Sequence, residues 1–454
     1  MNKLVNLLFT ICICLIVVSC SKETTINITV EKKQNLSLYM FDKGDINVLQ
    51  AFEMNPETNV GKVVVQLPYE GLYLIGQNEY ASFPVYLRHD DIVNMEYKDN
   101  RLQLLGEAGK ENQLLFEWEN IVGEIRTHAF LYNYLAGGHS VSYEEFFEEL
   151  EKVAPKQKDI RERVKHINGD FASFMKTKIQ ADWDFYAISY LKSFAHQIPD
   201  SVVLPDIYEK LQKSEITLEA DLLDLPYAGN ILEAYAWFYN RNKGAGTIEN
   251  IKNEMEFLKD KNFQQEYLLT IASRYKFYDE LQSLLELVGD GFFVEDYSFR
   301  LGKIKEKLSW SAPGLQAPDF KAMKLDSTWV RLSDFKGKVV VVDVWATWCE
   351  PCKRMMPLFH QLEQELKDEN IAFINVCVGT WVEADLWKKM AKEFQVENNT
   401  SFVDGWKSDF VKDYHITGVP RYMIFDEEGR IVSVKAPNPL KPELKELIIK
   451  TLNK

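Results

Sequence analysis

Cysteine is scarce in this chain, 6 in 454 residues, and half of it is spent early: Cys12, Cys14 and Cys20 leave only Cys349, Cys352 and Cys377 for the rest. So few thiols exclude the framework of structural disulfides that holds small secreted domains together. Histidine is equally sparse at 7, and no HxxxH or second CxxC accompanies Cys349 and Cys352, so nothing completes a four-ligand zinc site. Basic charge is in deficit, with 53 Lys and Arg against 68 Asp and Glu and a net charge of -15. That balance argues against nucleic acid or an anionic membrane face as partner. Low-complexity tracts and solenoid repeats are absent, and the one long apolar stretch is too short for a comfortable membrane span.

That stretch runs from Leu4 to Val18, behind Met1-Asn2-Lys3 and ahead of Ser19-Cys20-Ser21-Lys22. One positive residue, a short hydrophobic segment and a small residue at the break describe an export signal over 1–19. Val17-Val18-Ser19-Cys20 further resembles a bacterial lipobox, which implies that Cys20 becomes an acylated N-terminus and that the membrane is reached by a lipid anchor only. An ordinary signal with an incidental cysteine is the plainer reading of the same residues.

At 454 residues, two or three domains are expected. Over 20–107, short β-rich runs at 26–30, 36–41, 63–67, 73–76, 83–87, 92–97 and 102–105 predict a small β-sandwich or barrel, with His89-Asp90-Asp91 an exposed turn. The period then changes. Leu114, Leu115, Trp118, Ile121, Val122, Ile125 and Ala129 trace a helical face expected to end near Gly137-Gly138, and Ser142-Tyr143-Glu144-Glu145 is a capping box. Ile160, Val164, Ile167, Phe171 and Phe174 trace another face, and an all-α domain over 108–306 results. Its aromatics Trp183, Tyr186, Trp237, Phe238 and Tyr239 read as core, with a pocket lining as the alternative. Residues 307–316 read as a linker into a third domain, 317–454, with strands at 320–325, 329–332, 371–378, 422–426 and 431–435 and helices at 382–396, around 409–414 and at 442–452.

Within that last domain, Val339-Val340-Val341-Val342-Asp343-Val344-Trp345 predicts a buried strand. Trp348-Cys349-Glu350-Pro351-Cys352-Lys353 follows, and Met356, Phe359, Leu362 and Leu366 then fall at helical spacing. Both cysteines therefore sit where a strand turns into a helix. Unpaired amides at a helix N-terminus favour negative charge and lower the pKa of the first thiol, so Cys349 is the expected attacking thiolate. Cys352, one turn on and expected to be more buried, is close enough to resolve a mixed disulfide. Glu350 and Pro351, between them, are the expected tuning residues; a carboxylate beside the thiolate disfavours it, which shifts the pair toward a more reducing potential. Such a cycle needs no cofactor beyond the Cys349-Cys352 disulfide. Cys377, in an apolar run, reads as a small buried hydrophobe.

The run from Asp343 to Lys353, Pro357 five residues later, and Thr417-Gly418-Val419-Pro420 resemble the active-site strand, helix kink and cis-proline loop of thioredoxin-fold proteins. Cys-Glu-Pro-Cys, together with Ala317-Pro318-Asp319-Phe320 and Leu332-Ser333-Asp334-Phe335-Lys336-Gly337-Lys338, resembles more narrowly the TlpA/ResA-type envelope thiol-disulfide oxidoreductases, over residues 312 to 454. The fold class implied is multidomain: a small all-β N-terminal domain, an all-α middle domain and a C-terminal α/β thioredoxin fold. The resemblance implies a cis Val419-Pro420 bond against the CxxC, leaving backbone groups to pair with an extended substrate, and apolar surface from Trp348 around the disulfide. Trp345 shares that task or is core. For Asp343 it implies a place behind the resolving thiol, where desolvation raises its pKa toward neutrality and it accepts the proton of Cys352. The residues alone leave open a strand-end carboxylate reaching water, or a salt bridge with a lysine.

The implied protein is a periplasm-facing or outer-membrane lipoprotein of a Gram-negative cell envelope. It reduces disulfides of exported proteins and is recharged by a membrane electron donor. Two other functions stay open. One is a peroxiredoxin-like peroxidase, since Ala317-Pro318-Asp319-Phe320 is shared with such sequences, although the proline and hydroxyl residue expected upstream of a peroxidatic cysteine are not both present before Cys349. The other is a ligand- or partner-binding lipoprotein whose redox domain is auxiliary.

Overall fold

The computed structural model describes residues 23–453 apart from 33, 43, 79–81, 99–100, 107–108, 131–140, 168, 195–196, 200, 214–217, 241–246, 290 and 397–399. The expected export signal and Cys20 lie outside the described residues. The chain divides into two compact units, Met1–Tyr267 and Leu268–Lys454.

The first unit opens with β1 (Thr24–Val30), β2 (Ser37–Asp42), β3 (Asp45–Ala51), β4 (Glu53–Met54), β5 (Val60–Val65), β6 (Gly71–Gly76), β7 (Ser82–Leu87), β8 (Ile92–Lys98) and β9 (Arg101–Leu104). They form sheets ordered β4-β5-β1-β8-β9 and β3-β2-β6-β7. Period-two alternation does the sorting: in β1, Thr24, Ile26, Ile28 and Val30 are buried and the residues between them are half-exposed. Ile26, Val63 and Met95 from one sheet meet Leu38, Ile75 and Val85 from the other in a single core. Strands β3 and β4 were not expected. Both are edge strands, and β3 shows no alternation to read.

Helix α1 (Lys110–His128) follows without a clean break, because the Asn112 side chain bonds both backbone groups of Tyr86, at 2.8 and 2.7 Å, and Phe116 enters the sandwich core. α1 stops at His128, short of Gly137-Gly138, which lie outside the described residues. α2 (Tyr143–Val164) begins on the expected capping box, with Ser142 and Glu145 satisfying each other's backbone N–H. The face expected to continue from Ile160 to Phe174 is interrupted: Gly169 takes the left-handed φ of 88° and α3 (Asp170–Phe194) starts a new helix. After α4 (Asp206–Lys213) come α5 (Ala228–Asn240), α6 (Thr247–Leu258) and α7 (Lys261–Ser273), the last crossing into the second unit. Trp183, Tyr186 and Phe238 are buried, and Trp183 also lines a cleft of about 1040 Å³ with Phe147, Arg161, Asp184 and Pro205.

The second unit adds α8 (Tyr278–Val288) and α9 (Glu295–Leu308) to a seven-stranded sheet ordered β11-β10-β14-β13-β12-β15-β16. Its strands are β10 (Lys321–Lys324), β11 (Trp329–Arg331), β12 (Val339–Trp345), β13 (Ile371–Gly379), β14 (Thr400–Asp404), β15 (Arg421–Phe425) and β16 (Ile431–Ala436). Helices α10 (Glu350–Glu365), α11 (Ala384–Glu393), α12 (Asp409–Asp413) and α13 (Pro442–Leu452) complete it. The second unit starts well before the expected linker. Phe277, just ahead of α8, lies in the same core as Val340, Val342 and Met423. Ser311, inside the expected linker, is fully buried and accepts the Tyr278 N–H at 2.9 Å, and Gly314 N–H donates to the Ile431 carbonyl at 2.7 Å. β14 was also unexpected, because its buried Thr400 and Ser401 carry no hydrophobic signal.

Candidate active site

All seven residues of β12 are buried, which is what a central strand covered on both faces requires. Alternation splits them. Val340, Val342 and Val344 join one core, and Val339 and Val341 join the other with Phe359 and Leu362 of α10. Asp343 belongs by register to this second face, between Val341 and Trp345, and α10 covers it. Trp345 is fully buried beside Cys349, Cys352, Met356 and Cys377, so of its two readings the structure shows the core one.

Three residues past Ala346, the chain turns into α10 with Cys349 as its N-cap. Cys349 and Cys352 are joined as a disulfide with Cα atoms 5.3 Å apart. Cys352 N–H donates to Cys349 Sγ at 3.2 Å, so the first sulfur already receives a helix-terminal amide of the kind that stabilises a thiolate. Cys352 is fully enclosed and Cys349 retains 3% exposure. Pro351 occupies the first helical turn, where its missing N–H costs nothing. Glu350 is exposed and paired with Lys353 at 2.6 Å, which holds its carboxyl below the ordinary range and offsets part of the repulsion expected at the thiolate.

Asp343 is 0% exposed, and neither carboxylate oxygen has a hydrogen-bond partner among the described residues. Both bland expectations, a strand end reaching water and a lysine salt bridge, are therefore overturned. Burial alone pushes its pKa up to about 8. The register neighbours are Asn375 on β13 and Tyr422 on β15, and the Tyr422 hydroxyl, buried and without a hydrogen-bond partner among the described residues, is pushed up by burial and then by Asp343. Cys377 is fully buried, and burial raises its thiol, with Glu383 adding to the rise.

The Val419-Pro420 bond is cis, and Val419 packs against the cluster that holds both active-site cysteines. Trp348 is 56% exposed beside the disulfide. Three features escaped the sequence reading. Thr347 donates its hydroxyl to Glu383 at 3.1 Å, tying the CxxC loop to the start of α11, and Trp406 lies 6.2 Å from Trp348, ring to ring. Tyr422 is the third; its strand is buried throughout, so no alternation marked which way it faces. The Glu350–Lys353 pairing was missed as well, although the three-residue spacing was a readable signal for it.

A strand-to-helix CxxC closed as a disulfide, on a mixed sheet whose three central strands β12, β13 and β14 are parallel, defines a thioredoxin-like disulfide oxidoreductase. Residues 312–448 match the Redoxin family model. The chain is 31% identical over 136 residues to the thioredoxin-like protein YneN of Bacillus subtilis, covering 29% of this chain and 76% of that one. It is 25% identical over 161 residues to the thiol-disulfide oxidoreductase ResA of Bacillus thuringiensis, covering 35% and 83%. A solved thioredoxin domain of a thiol-disulfide oxidoreductase from Bacteroides vulgatus is 29% identical over 31% of this chain and 99% of that chain, with a TM-score of 0.29. The chain belongs to the family of thioredoxin-like thiol-disulfide oxidoreductases.

Proposed function

We propose that this protein reduces disulfides of exported proteins through a Cys349-Cys352 dithiol cycle, as a lipid-anchored protein of the cell envelope. The reduced pair supplies two electrons. Cys349 thiolate attacks one sulfur of the partner's disulfide, that bond breaks, and the other partner sulfur leaves as a thiolate. Cys352 then passes its proton to the Asp343 carboxylate and attacks the Cys349 sulfur. This closes the internal disulfide and releases the second partner thiolate. A membrane dithiol donor returns the pair to its reduced form, and no further cofactor takes part. Val419 and Pro420 align the partner's extended backbone, and Trp348 covers the exchanging sulfurs from water.

The observation that carries this reading is Asp343, a buried carboxyl without a hydrogen-bond partner among the described residues, on the sheet face that α10 covers. A group titrating near 8 matches a thiol closely enough for proton transfer in either direction. Trapping tests it. Cys352→Ser should accumulate exported proteins as reducible adducts on Cys349, and Cys349→Ser should accumulate none. Equal capture by both variants would remove the reductase reading.

A further inference from the structure

We infer that the sheet edge around the disulfide is a docking surface for bulky apolar side chains flanking the substrate's disulfide, built by Trp381, Val382 and Trp406 beside Trp348. It rests on the proposed reduction of polypeptide disulfides and adds which polypeptides are preferred.

Strands β12, β13 and β14 are mutually parallel, so their C-terminal ends share one edge of the sheet. Each is followed within a few residues by an exposed tryptophan: Trp348 after β12, Trp381 after β13 and Trp406 after β14, at 56%, 51% and 38% exposure. β15 runs antiparallel to β12 and begins at that same edge, directly after cis-Pro420. Val382 at 93% and Leu386 at 46% exposure extend the surface along the start of α11. Large apolar side chains grouped on a surface mark binding sites, and tryptophan is prominent among the residues that dominate interface energies.

The loops that carry these side chains are fastened. Gly405 N–H donates to the Gly379 carbonyl at 2.6 Å, joining the loops after β14 and β13. Glu383 accepts the Thr380 N–H at 2.7 Å and the Thr347 hydroxyl at 3.1 Å, joining the loop after β13 to the CxxC turn. The Trp381 ring lies 5.3 Å from Phe402, which packs in the cluster of Cys349 and Cys352. A surface held in this way loses little freedom on binding. The occupant assigned is the segment on either side of the substrate's disulfide, because the surface is continuous with the disulfide: Trp348 belongs to the CxxC turn, Trp406 lies 6.2 Å from it, and Trp381 packs on the Phe402 that clusters with Cys349 and Cys352. A lipid surface or a second copy of the chain would cover the rings without presenting a substrate.

The test uses the full chain with dithiothreitol as electron source and two disulfide-linked peptides of equal length, one flanked by Phe and Leu, the other by Ser and Gln. The unmodified protein should favour the apolar peptide in kcat/KM by about tenfold or more, the size of one well-buried side chain. Trp381→Ala with Trp406→Ala should bring that ratio near one, chiefly through KM. Val382→Ser should lower it less, and Trp381→Phe should restore most of it. A ratio near one in the unmodified protein, or one unmoved by the double variant, overturns the inference and leaves the reductase reading standing. Loss of binding to lipid vesicles in the double variant with the ratio intact assigns the rings to a membrane instead. Failure to reduce either peptide faster than dithiothreitol alone removes both readings.

Discussion

Asp343 is fully buried in β12, on the face that α10 covers. Its carboxyl is pushed up to about 8 by burial from an ordinary 3.8. The unfolded chain releases that proton near 4, whereas the folded protein keeps it until about 8. Between those values the folded state binds the extra proton, so this residue's stability contribution is whole below the lower value and is lost as pH rises toward the upper one. Asp343→Asn cannot titrate. The oxidised variant should therefore gain on the parent by on the order of 1 kcal/mol per pH unit from pH 5 to pH 8, read by urea unfolding. A gap independent of pH would mean that Asp343 ionises in the ordinary range. If it also accepts the Cys352 proton, the variant should resolve a preformed mixed disulfide roughly 100-fold more slowly while Cys349 attacks at nearly the parental rate. Equal slowing of both steps, followed by stopped flow, would return Asp343 to a structural role.

At the scale of elements, α10 and β12 were legible because two strong signals coincide: a run of valines long enough for a covered strand, and a CxxC where helical spacing begins. That junction makes a prediction about reactivity. In the reduced protein Cys349 should alkylate with an apparent pKa below that of a free thiol, since the Cys352 N–H points at its sulfur, whereas Cys377, enclosed and pushed up by burial, should stay slow at neutral pH. Faster labelling of Cys377 would show the nucleophile misassigned. Elements whose residues carry no periodic signal were not legible. β3 is an edge strand without alternation, β14 buries Thr400 and Ser401, and Trp406 lost its context when β14 went unread. The role of α8 was hidden for another reason, since an apolar helix face does not say what it packs on. Phe277 lies in the sheet's core under the Arg421 guanidinium, 4.4 Å from its ring centre, while Asp279 and Glu280 bond Ser433 and Lys435 on β16. Phe277→Ala should cost the second unit about 3 kcal/mol, measured by chemical unfolding. A loss under 1 kcal/mol would show that α8 only rests on the sheet.

For the molecule as a whole, the redox chemistry occupies a unit that begins at Leu268, and the sandwich with α1 to α6 forms another. What brings the protein to its substrates is then a matter of address, and three observations narrow how it would be held there. Among the described residues, no helix is long and apolar enough to cross a membrane. The net charge of -15 opposes attraction to an anionic lipid face. In the proposed reading, Cys20 of the Val17-Val18-Ser19-Cys20 run is the acceptor for lipid chains. Each buried methylene of an acyl chain contributes about 0.8 kcal/mol, so two or more chains on that residue would hold the protein at a membrane without a spanning helix. Attachment should accordingly depend on that one sulfur. Cys20→Ala in the full chain should move the protein from the detergent-extracted membrane fraction to the soluble fraction, while the purified variant keeps its rate on a small soluble disulfide. Trp381→Ala with Trp406→Ala is the control for membrane contact through the exposed rings. If Cys20→Ala leaves partitioning unchanged, the lipid anchor is absent, and the acidic protein must be held in place by something other than its own N-terminus.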